Sequence, residues 1–296
     1  MDNLSRRETQ SVAAKLLIVL PLRLRRHVQH RLLLGTWPKL REPTFYSEVA
    51  TRELLKEEGL LAAISGDKDA CKTFVRGLSP SVKTPRTRWV GTDPEKIPDT
   101  ALEGKWMIKL NAGSGAFARG EGVKDRAQLM AFIHSWSGDN SANLYGNRYY
   151  RLARQGFILE DYIDGLGRPT EARFFCFDGR VEFAQIFAFT GDERADWYVG
   201  REGERISVTR RTRRATKERG GCAPAAVPHR MFQVGLSLAE SLSQDFSHVR
   251  VDLYLLPDEV WFGELTPYPS SGLVRFVPDS FDIRIANLWK SALNEG

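Results

Sequence analysis

The fold of this chain is decided by the stretch Val249-Arg-Val-Asp-Leu-Tyr-Leu-Leu-Pro-Asp-Glu-Val-Trp-Phe-Gly-Glu-Leu-Thr266. Two runs with alternating apolar residues flank a Pro-Asp-Glu turn, and this pattern predicts a β-hairpin. A three-residue loop makes Leu256 oppose Val260. Counting outward from that pair places Asp252 opposite Glu264, and opposed residues point to the same face of a hairpin.

This pairing separates the two faces of the hairpin by chemistry. The apolar face carries Val249, Val251, Leu253, Leu255, Trp261, Gly263 and Leu265. The other face carries Arg250, Asp252, Glu264 and Thr266 at its open end. A slip of one residue would bring Leu265 opposite Asp252 and mix the two faces. The sequence itself therefore selects this register.

The two opposed carboxylates predict a metal site. Like charges directly opposite one another are destabilising in a sheet, and a cation between them removes that penalty. Mg²⁺ prefers oxygen ligands and commonly uses one or two carboxylates together with substrate phosphates. With Arg250 and Thr266 beside Asp252 and Glu264, the set favours metal and phosphate binding. The alternative is a solvated strand face on which both acids point to water.

A second candidate site lies at Lys109, in a strand that runs into the glycine-rich stretch 111–120. A lysine just before such a turn can bring its ammonium and several backbone N–H groups to one polyphosphate. The stretch lacks the Gly-Lys-Ser/Thr ending of a Walker A loop. A glycine-rich turn without any ligand is the alternative.

Composition narrows the class of protein. The chain has 296 residues, of which 42% are hydrophobic and 10% aromatic, as is ordinary for a globular protein. Its three cysteines lie far apart and fit neither a disulfide framework nor a zinc ribbon. The apolar run 16–20 is far shorter than the ~20 residues that a membrane helix needs, and no signal-peptide cleavage site follows it. We therefore expect a cytoplasmic protein.

The positive charge is concentrated in two segments. Residues 13–34 predict a basic amphipathic helix in which Leu17, Leu20, Leu24 and Val28 form one stripe, with arginines opposite. We expect this stripe to pack on the body of the protein. Peripheral contact with the inner face of the membrane is the alternative, because leucines beside a basic face are also the pattern of an interfacial helix.

The second basic segment is the loop expected at residues 190–228, which has no sustained periodicity. Its arginines and lysines between residues 201 and 219 predict either an exposed, solvated loop or a surface for an anionic partner. The positions are Arg201, Arg205, Arg210, Arg211, Arg213, Arg214, Lys217 and Arg219.

The other elements follow from periodicity and turn residues. Asp178-Gly179 between two aromatic-rich runs predicts a hairpin over 171–187, and the prolines between residues 85 and 98 predict an extended linker. We expect helices at 48–64, 68–78, 125–136 and 229–243 and at the C-terminus, and strands at 106–110 and 157–163.

Taken in order, these motifs resemble the ATP-grasp fold, and specifically its teichuronopeptide-biosynthesis (TupA-like) branch. The resemblance covers roughly residues 35–290. It is carried by Gly66-Asp-Lys-Asp-Ala-Cys-Lys-Thr-Phe-Val75, Met107-Ile-Lys-Leu-Asn-Ala-Gly-Ser-Gly115, Ile158-Leu-Glu-Asp-Tyr-Ile163, Ala172-Arg-Phe-Phe-Cys-Phe-Asp-Gly179 and the stretch 246–272.

The resemblance implies an α/β (α+β) fold of two lobes, each with an antiparallel sheet and helices, and ATP between them. The small lobe would span 106–160 and the large lobe 161–296, after an N-terminal helix (1–34) and a helical region with linker (35–105).

The same resemblance implies roles for individual residues. Lys68 and Lys109 would bind the phosphates, and a loop at Gly113, Ser114 and Gly115 would cover them. Adenine would bind at the hinge, which consists of Glu160, Asp161, Tyr162 and Ile163, and ribose would bind at Glu171. Magnesium would bind at Asp252, Glu264 and Thr266, and Arg250 would stabilise charge at the transferred phosphoryl group. Arg173 stands where this branch usually has lysine, and Thr266 stands where many ATP-grasp enzymes have asparagine.

The expected activity is an ATP- and Mg²⁺-dependent carboxylate–amine ligase that acts on an acidic glycan, sugar acid or peptide in cell-surface polysaccharide synthesis. A phosphotransferase acting on a sugar hydroxyl and a natural-product peptide ligase use the same ATP site. A non-catalytic basic protein that binds a polyanion or membrane is the alternative from another class. No specific nucleic acid partner is expected.

Overall fold

The fold is described from a computed structural model. The structure describes residues 17–56, 59–113, 117–136, 145–147, 149–163, 169–190, 193–211 and 229–294. Within these ranges no helix is both long and apolar enough to cross a membrane.

The helices in the described ranges are α1 Leu22–Leu34, α2 Tyr46–Lys56, α3 Leu60–Gly66, α4 Lys68–Leu78, α5 Arg126–Trp136, α6 Tyr149–Leu152, α7 His229–Leu242 and α8 Asp279–Asn294. The strands are β1 Thr87–Gly91, β2 Lys105–Leu110, β3 Phe117–Glu121, β4 Phe157–Asp161, β5 Thr170–Phe177, β6 Arg180–Thr190, β7 Glu193–Val199, β8 Arg205–Ile206, β9 Thr209–Arg211, β10 His248–Leu255, β11 Val260–Thr266 and β12 Arg275–Val277. Short 3₁₀ turns lie at Pro94–Lys96, Asp99–Leu102, Val123–Asp125 and Pro269–Gly272.

These strands form two main antiparallel sheets. The small sheet has the order β1-β4-β2-β3, and the large sheet has the order β11-β10-β5-β6-β7-β8. A separate two-stranded sheet pairs β12 with β9. The predicted α/β architecture with two antiparallel sheets and helices is confirmed.

Alternation along the strands gives the large sheet two different faces. Helix α7 covers one face, where Phe174, Val251 and Leu253 are buried in a continuous apolar core. Part of the other face is covered by α2 and α8 around Phe183 and Trp289. The charged residues of the predicted site lie on that second face, outside the apolar cluster around α2 and α8.

The small sheet is built in the same way. Trp106, Ile108 and Leu159 pack with Leu129 of α5 on one face. Because side chains alternate along a strand, Lys109 points to the opposite face.

The hairpin predicted at Asp178-Gly179 is present as β5–β6. Both turn residues have positive φ, 50° for Asp178 and 69° for Gly179. Two successive positive φ values define the type I′ turn, whose twist matches that of the flanking strands.

Three sequence-based expectations about elements were wrong. The linker expected around residue 87 contains β1, which pairs with β4 in the small sheet. The helix expected over 48–64 is divided between α2 and α3. The loop expected from residue 190 contains β7, β8 and β9, because alternating Ala195, Trp197 and Val199 continue the large sheet. Residues 212–228 of that loop lie outside the described residues.

Helix α1 is rotated relative to the expectation. Leu24, expected to pack inward, is 50% exposed, whereas Arg26 is fully buried. The Arg26 guanidinium donates to the carbonyl oxygens of Tyr145 (3.1 Å) and Ser271 (2.7 Å) and to Thr51 Oγ1 (3.1 Å). These bonds compensate the cost of burying the charge, so the helix packs through its polar face.

Candidate functional site

The register predicted for the open end of the hairpin β10–β11 is confirmed. Asp252 pairs with Glu264, and Arg250 pairs with Thr266. The prediction for the turn end was wrong. At that end the pairs are shifted by one residue, so that Val260 of β11 pairs with Leu255 instead of the expected Leu256.

A β-bulge at Gly263 reconciles the two ends of the hairpin. A Cβ at this position would lie 2.9 Å from the Asp252 carbonyl oxygen, so only glycine fits without a shift. The bulge places Phe262 opposite Leu253 and Trp261 opposite Tyr254. The apolar face therefore carries Val260 and Phe262 instead of the expected Trp261 and Gly263. The apolar pattern fits the predicted and the observed turn equally well. The one unpaired residue of β11 is Gly263, which has no side chain to clash with β10.

The two opposed acids are connected through Arg250. Its Nε and Nη2 donate to the two carboxylate oxygens of Asp252, both at 2.6 Å. Nη2 also donates to Thr266 Oγ1 at 3.2 Å, and that hydroxyl donates to Glu264 Oε1 at 3.1 Å. Burial lowers the pKa of Arg250, but the charge and hydrogen bonds of Asp252 outweigh burial and raise it above the usual value. Arg250 therefore stays charged within this group of four residues.

Arg173 extends the charged group to the neighbouring strand β5. Its Nε lies 2.7 Å from Glu171 Oε1 and 3.7 Å from Asp252 Oδ2. Its guanidinium also lies over the ring of Phe187, with 4.2 Å between Cζ and the ring centroid. Arg173 thus connects the residue expected to bind ribose with one expected to bind metal.

On the small lobe, the carboxylate of Glu160 binds two lysines, Lys72 and Lys109. The Glu160 side chain is only 2% exposed. Burial raises its pKa, but the charges of Lys109 and Lys72 outweigh burial and the net pKa is lowered. Glu160 is therefore an ionised, buried anion that positions Lys109.

Lys72 was not identified from the sequence. It lies four residues after Lys68 on α4, and residues four apart lie on the same face of a helix. This four-residue spacing from Lys68 could have identified Lys72 as a site residue.

Lys68 binds the first residues of the glycine-rich stretch. Its ammonium donates to the carbonyl oxygens of Gly113 (2.5 Å) and Asn111 (3.5 Å). Burial lowers its pKa, while the charge of Glu264 raises it and that of Lys109 lowers it. Its helix α4 packs against β11 of the large sheet, and its N–H donates to the Asn111 carbonyl oxygen just after β2 (3.2 Å), so Lys68 lies between the two sheets. The loop residues Ser114 and Gly115 lie outside the described residues.

The hinge segment borders a cavity of about 760 Å³. Asp161, Tyr162 and Ile163 line this cavity together with Lys105 and Trp261. The N–H groups of Asp161 and Tyr162 are already bonded to main-chain carbonyls of the small lobe. A planar ring bound here would have to use other polar groups of the hinge.

The arrangement agrees with a comparison of the sequence with protein families. The profile of the TupA-like ATP-grasp family matches residues 52–290, which includes every site residue described above. The chain belongs to the TupA-like ATP-grasp family.

Solved structures similar to this TupA-like chain have low sequence identity. D-alanine–D-alanine ligase from Helicobacter pylori is 16% identical with a TM-score of 0.44, over 77% of this chain and 61% of that one. The Bacillus anthracis enzyme complexed with ATP is 14% identical, with a TM-score of 0.43, over 84% and 70%. An L-amino acid ligase from Bacillus licheniformis is 13% identical, with a TM-score of 0.44, over 76% and 47%.

This chain thus spans less than two thirds of the length of the Helicobacter pylori enzyme. A search of curated proteins gives no significant match.

The TupA-like chain also carries a row of polar side chains across its large sheet. Strand register places Glu264, Asp252, Arg173, Gln185 and Tyr198 side by side on five consecutive strands. Gln185 is 1% exposed, and the buried hydroxyl of Tyr198 has no hydrogen-bond partner among the described residues. This hydroxyl is unusual, because buried polar groups ordinarily have a hydrogen-bond partner. The last two residues were not identified from the sequence, because they belong to no motif and meet the site only through strand pairing.

The oxygen ligands present are those that magnesium would use. Across the residues that the structure describes, no three His, Cys, Asp or Glu side chains form a metal-binding group. Asp252, Glu264 and the Thr266 hydroxyl form a two-carboxylate set in which the hydroxyl already bonds Glu264. A set of this size fits Mg²⁺, which keeps its remaining positions for water and phosphate oxygens.

Proposed function

We propose that this protein is an ATP- and Mg²⁺-dependent ligase that joins a carboxylate to an amine. The observation that carries the proposal is the position of Asp252 opposite Glu264, with Arg250 and Thr266 at the next pair. Two acids for a metal and a guanidinium for a phosphate lie on one face of the large sheet. Membership of the TupA-like ATP-grasp family supports ATP as the nucleotide.

ATP would lie between the two sheets. Lys109 and Lys68 would bind its phosphates, because an ammonium forms strong charge-assisted hydrogen bonds to phosphate oxygens. The hinge 160–163 would contact adenine, and Glu171 would contact the ribose. The proximity of the lobes supports this placement. The Phe262 N–H of β11 donates to the carbonyl oxygen of Lys83, shortly before β1 of the small sheet (2.8 Å), and Trp261 lines one cavity with Lys105 and Asp161.

Magnesium would be held by Asp252, Glu264 and Thr266, where it would neutralise charge on the phosphates and fix their orientation. The residues of the chain have a separate task. Arg250 and Arg173 add positive charge beside the oxygens of the transferred phosphoryl group. Such fixed charges stabilise a phosphoryl-transfer transition state without reorganising when charge develops.

The reaction requires no side-chain nucleophile. An oxygen of the acid attacks the γ-phosphorus, the bond from phosphorus to the bridging oxygen breaks, and ADP leaves. The amine nitrogen then attacks the acyl carbon of the acyl-phosphate, phosphate leaves with the bonding electrons, and the amine releases a proton. Positioning of the reactants and charge neutralisation supply most of the rate in such steps.

We propose an acidic glycan, sugar acid or peptide of cell-surface polysaccharide synthesis as the acceptor. Arg205 and Arg211 are exposed and Arg210 is half-buried, on two short strands after the large sheet's β7. These cations support a negatively charged acceptor.

Mass spectrometry of reactions with ATP, Mg²⁺ and a panel of acids and amines tests the proposal. A ligase gives an amide together with equal amounts of ADP and phosphate, and Glu264→Gln gives none. A phosphate ester without an amide would identify a phosphotransferase. Salt-dependent polyanion binding without ATP consumption would contradict the enzymatic proposal.

A further inference from the structure

The N-terminal segment exposes a group of large apolar side chains. Val19 is 79% exposed, Leu24 50%, Leu32 45% and Trp37 59%. Half of the strongly exposed large apolar side chains in the described residues lie within residues 19–37. Scattered single apolar residues are normal on a protein surface, whereas a contiguous group marks an interaction site.

Two of these side chains, Leu24 and Leu32, lie on α1, with the half-buried Val28 between them. Leu24, Val28 and Leu32 follow one another at intervals of four residues, so they form one stripe along the helix. Arg23 and Arg31 flank this stripe, each one residue before a leucine, and both are exposed. We call the stripe, these arginines and Trp37 the α1 surface.

The buried side of α1 fixes this orientation. Arg26 is fully buried and bonds to three groups of the body. His30, one turn later, bonds to the Thr36 carbonyl oxygen (2.7 Å) and to Ser47 (3.2 Å). Rotating the leucines inward would break these bonds and leave a guanidinium without partners, which is costly in a protein interior. The α1 surface is therefore held toward the outside.

Charge selects the partner of this surface. Between residues 17 and 41 the sequence contains no Asp or Glu, but contains six cations. The exposed ones, which can meet headgroups, are Arg23, Arg31, Lys39 and Arg41, whereas Arg25 and Arg26 are buried against the body. Leucines and a tryptophan beside arginines match a lipid interface, where apolar side chains enter the acyl region and cations meet anionic headgroups. At 13 residues α1 is too short to span a bilayer, so it would lie in the plane of the surface.

We propose that the α1 surface docks this protein on an anionic lipid surface. Docking needs neither ATP nor an acceptor, so it stands or falls independently of the ligase function. It would place the ATP site at a membrane.

Vesicle co-sedimentation of the full chain tests this proposal. The vesicles are pure phosphatidylcholine, or phosphatidylcholine with about a quarter of phosphatidylglycerol. We expect at least roughly tenfold stronger binding to the anionic vesicles, and a clear loss between about 50 mM and 500 mM salt, because exposed charges are screened.

Two variants distinguish specific binding through the α1 surface from non-specific adsorption to vesicles. The double variant Leu24→Asn/Leu32→Asn should bind roughly tenfold more weakly, since it removes two side chains that would enter the lipid. Val234→Asn is the matched control, because Val234 is 46% exposed on α7 and lies outside the α1 surface. It should bind as wild type does. Unchanged thermal melting of both variants shows that the fold is kept.

Four results would overturn the proposal. The first is equal binding of wild type and the double variant, and the second is equal binding to neutral and anionic vesicles. The third is a dimer in light scattering that becomes a monomer in the double variant, which would assign the surface to a second copy. The fourth is binding only after deletion of residues 1–16, which would show that this segment covers the surface in the full chain.

Discussion

Arg250 and Asp252 form a two-point ion pair along one strand, in which Nε and Nη2 each lie 2.6 Å from a carboxylate oxygen. From the sequence, only a bound metal cation was expected to relieve the repulsion between Asp252 and Glu264. Arg250 already neutralises Asp252, and Arg173 adds a second positive charge 3.7 Å away. The acids can therefore stay close before metal binds, and magnesium would share Asp252 with Arg250.

Removal of the phosphate lysines should weaken nucleotide binding. Lys109→Ala and Lys68→Ala should each reduce the affinity for a non-hydrolysable ATP analogue by about 1.5–3 kcal/mol, as expected for a charge-assisted contact. Lys124→Ala, which changes an exposed lysine, is the control. Isothermal titration calorimetry measures all three, and wild-type affinity in either site variant would remove that lysine from the site.

Lys72 should contribute to stability. Its side chain is 7% exposed and pairs with Glu160, which is 2% exposed. Lys72→Met should lower the free energy of unfolding by about 3 kcal/mol, because it leaves a buried anion with one partner fewer. Lys83→Met breaks an exposed pair with Glu259 and should cost less than about 1 kcal/mol. Equal losses in urea denaturation would contradict this role for Lys72.

His248 should make stability depend on pH. Burial lowers the pKa of His248 to about 3. The ring stays neutral because it is buried and the nearby charge of Arg250 disfavours a second cation, although the bond from its Nδ1–H to the Cys176 carbonyl acts in the opposite direction. In this neutral form Nε2 accepts from the Tyr46 hydroxyl. The unfolded chain takes up this proton near pH 6.5, so stability is complete above that value and decreases as the pH falls toward 3.

The comparison of wild type with His248→Gln isolates this effect. The stability difference between them should shrink by up to about 1.4 kcal/mol per pH unit below pH 6. Burial raises the pKa of Asp282 to about 6, and its opposite effect is present in both proteins and cancels. Denaturant unfolding at pH 7, 6 and 5 gives the slopes, and parallel slopes would contradict a neutral His248.

The sequence predicted what depends on local pattern. Alternation gave the open-end register of Asp252 and Glu264, and Asp178-Gly179 gave a hairpin whose turn needs two positive φ values. The bulge at Gly263 was not predictable, because it depends on how the turn closes. The orientation of α1 depends on three acceptors that lie 25 to 245 residues away from Arg26. The hydrophobic periodicity of the helix itself contains no information about such distant partners. Gln185 and Tyr198 likewise reach the site only through strand order.

The central claim, that Asp252 and Glu264 bind the magnesium of Mg-ATP, is tested most directly by one calorimetric measurement. A non-hydrolysable ATP analogue is titrated into wild type and Glu264→Gln, with and without Mg²⁺, and Asp258→Asn on the exposed turn serves as control. Mg²⁺ should strengthen binding at least roughly tenfold in wild type and in the control. It should have almost no effect in Glu264→Gln, where one carboxylate ligand is lost. The same Mg²⁺ dependence in Glu264→Gln as in wild type would contradict the assignment.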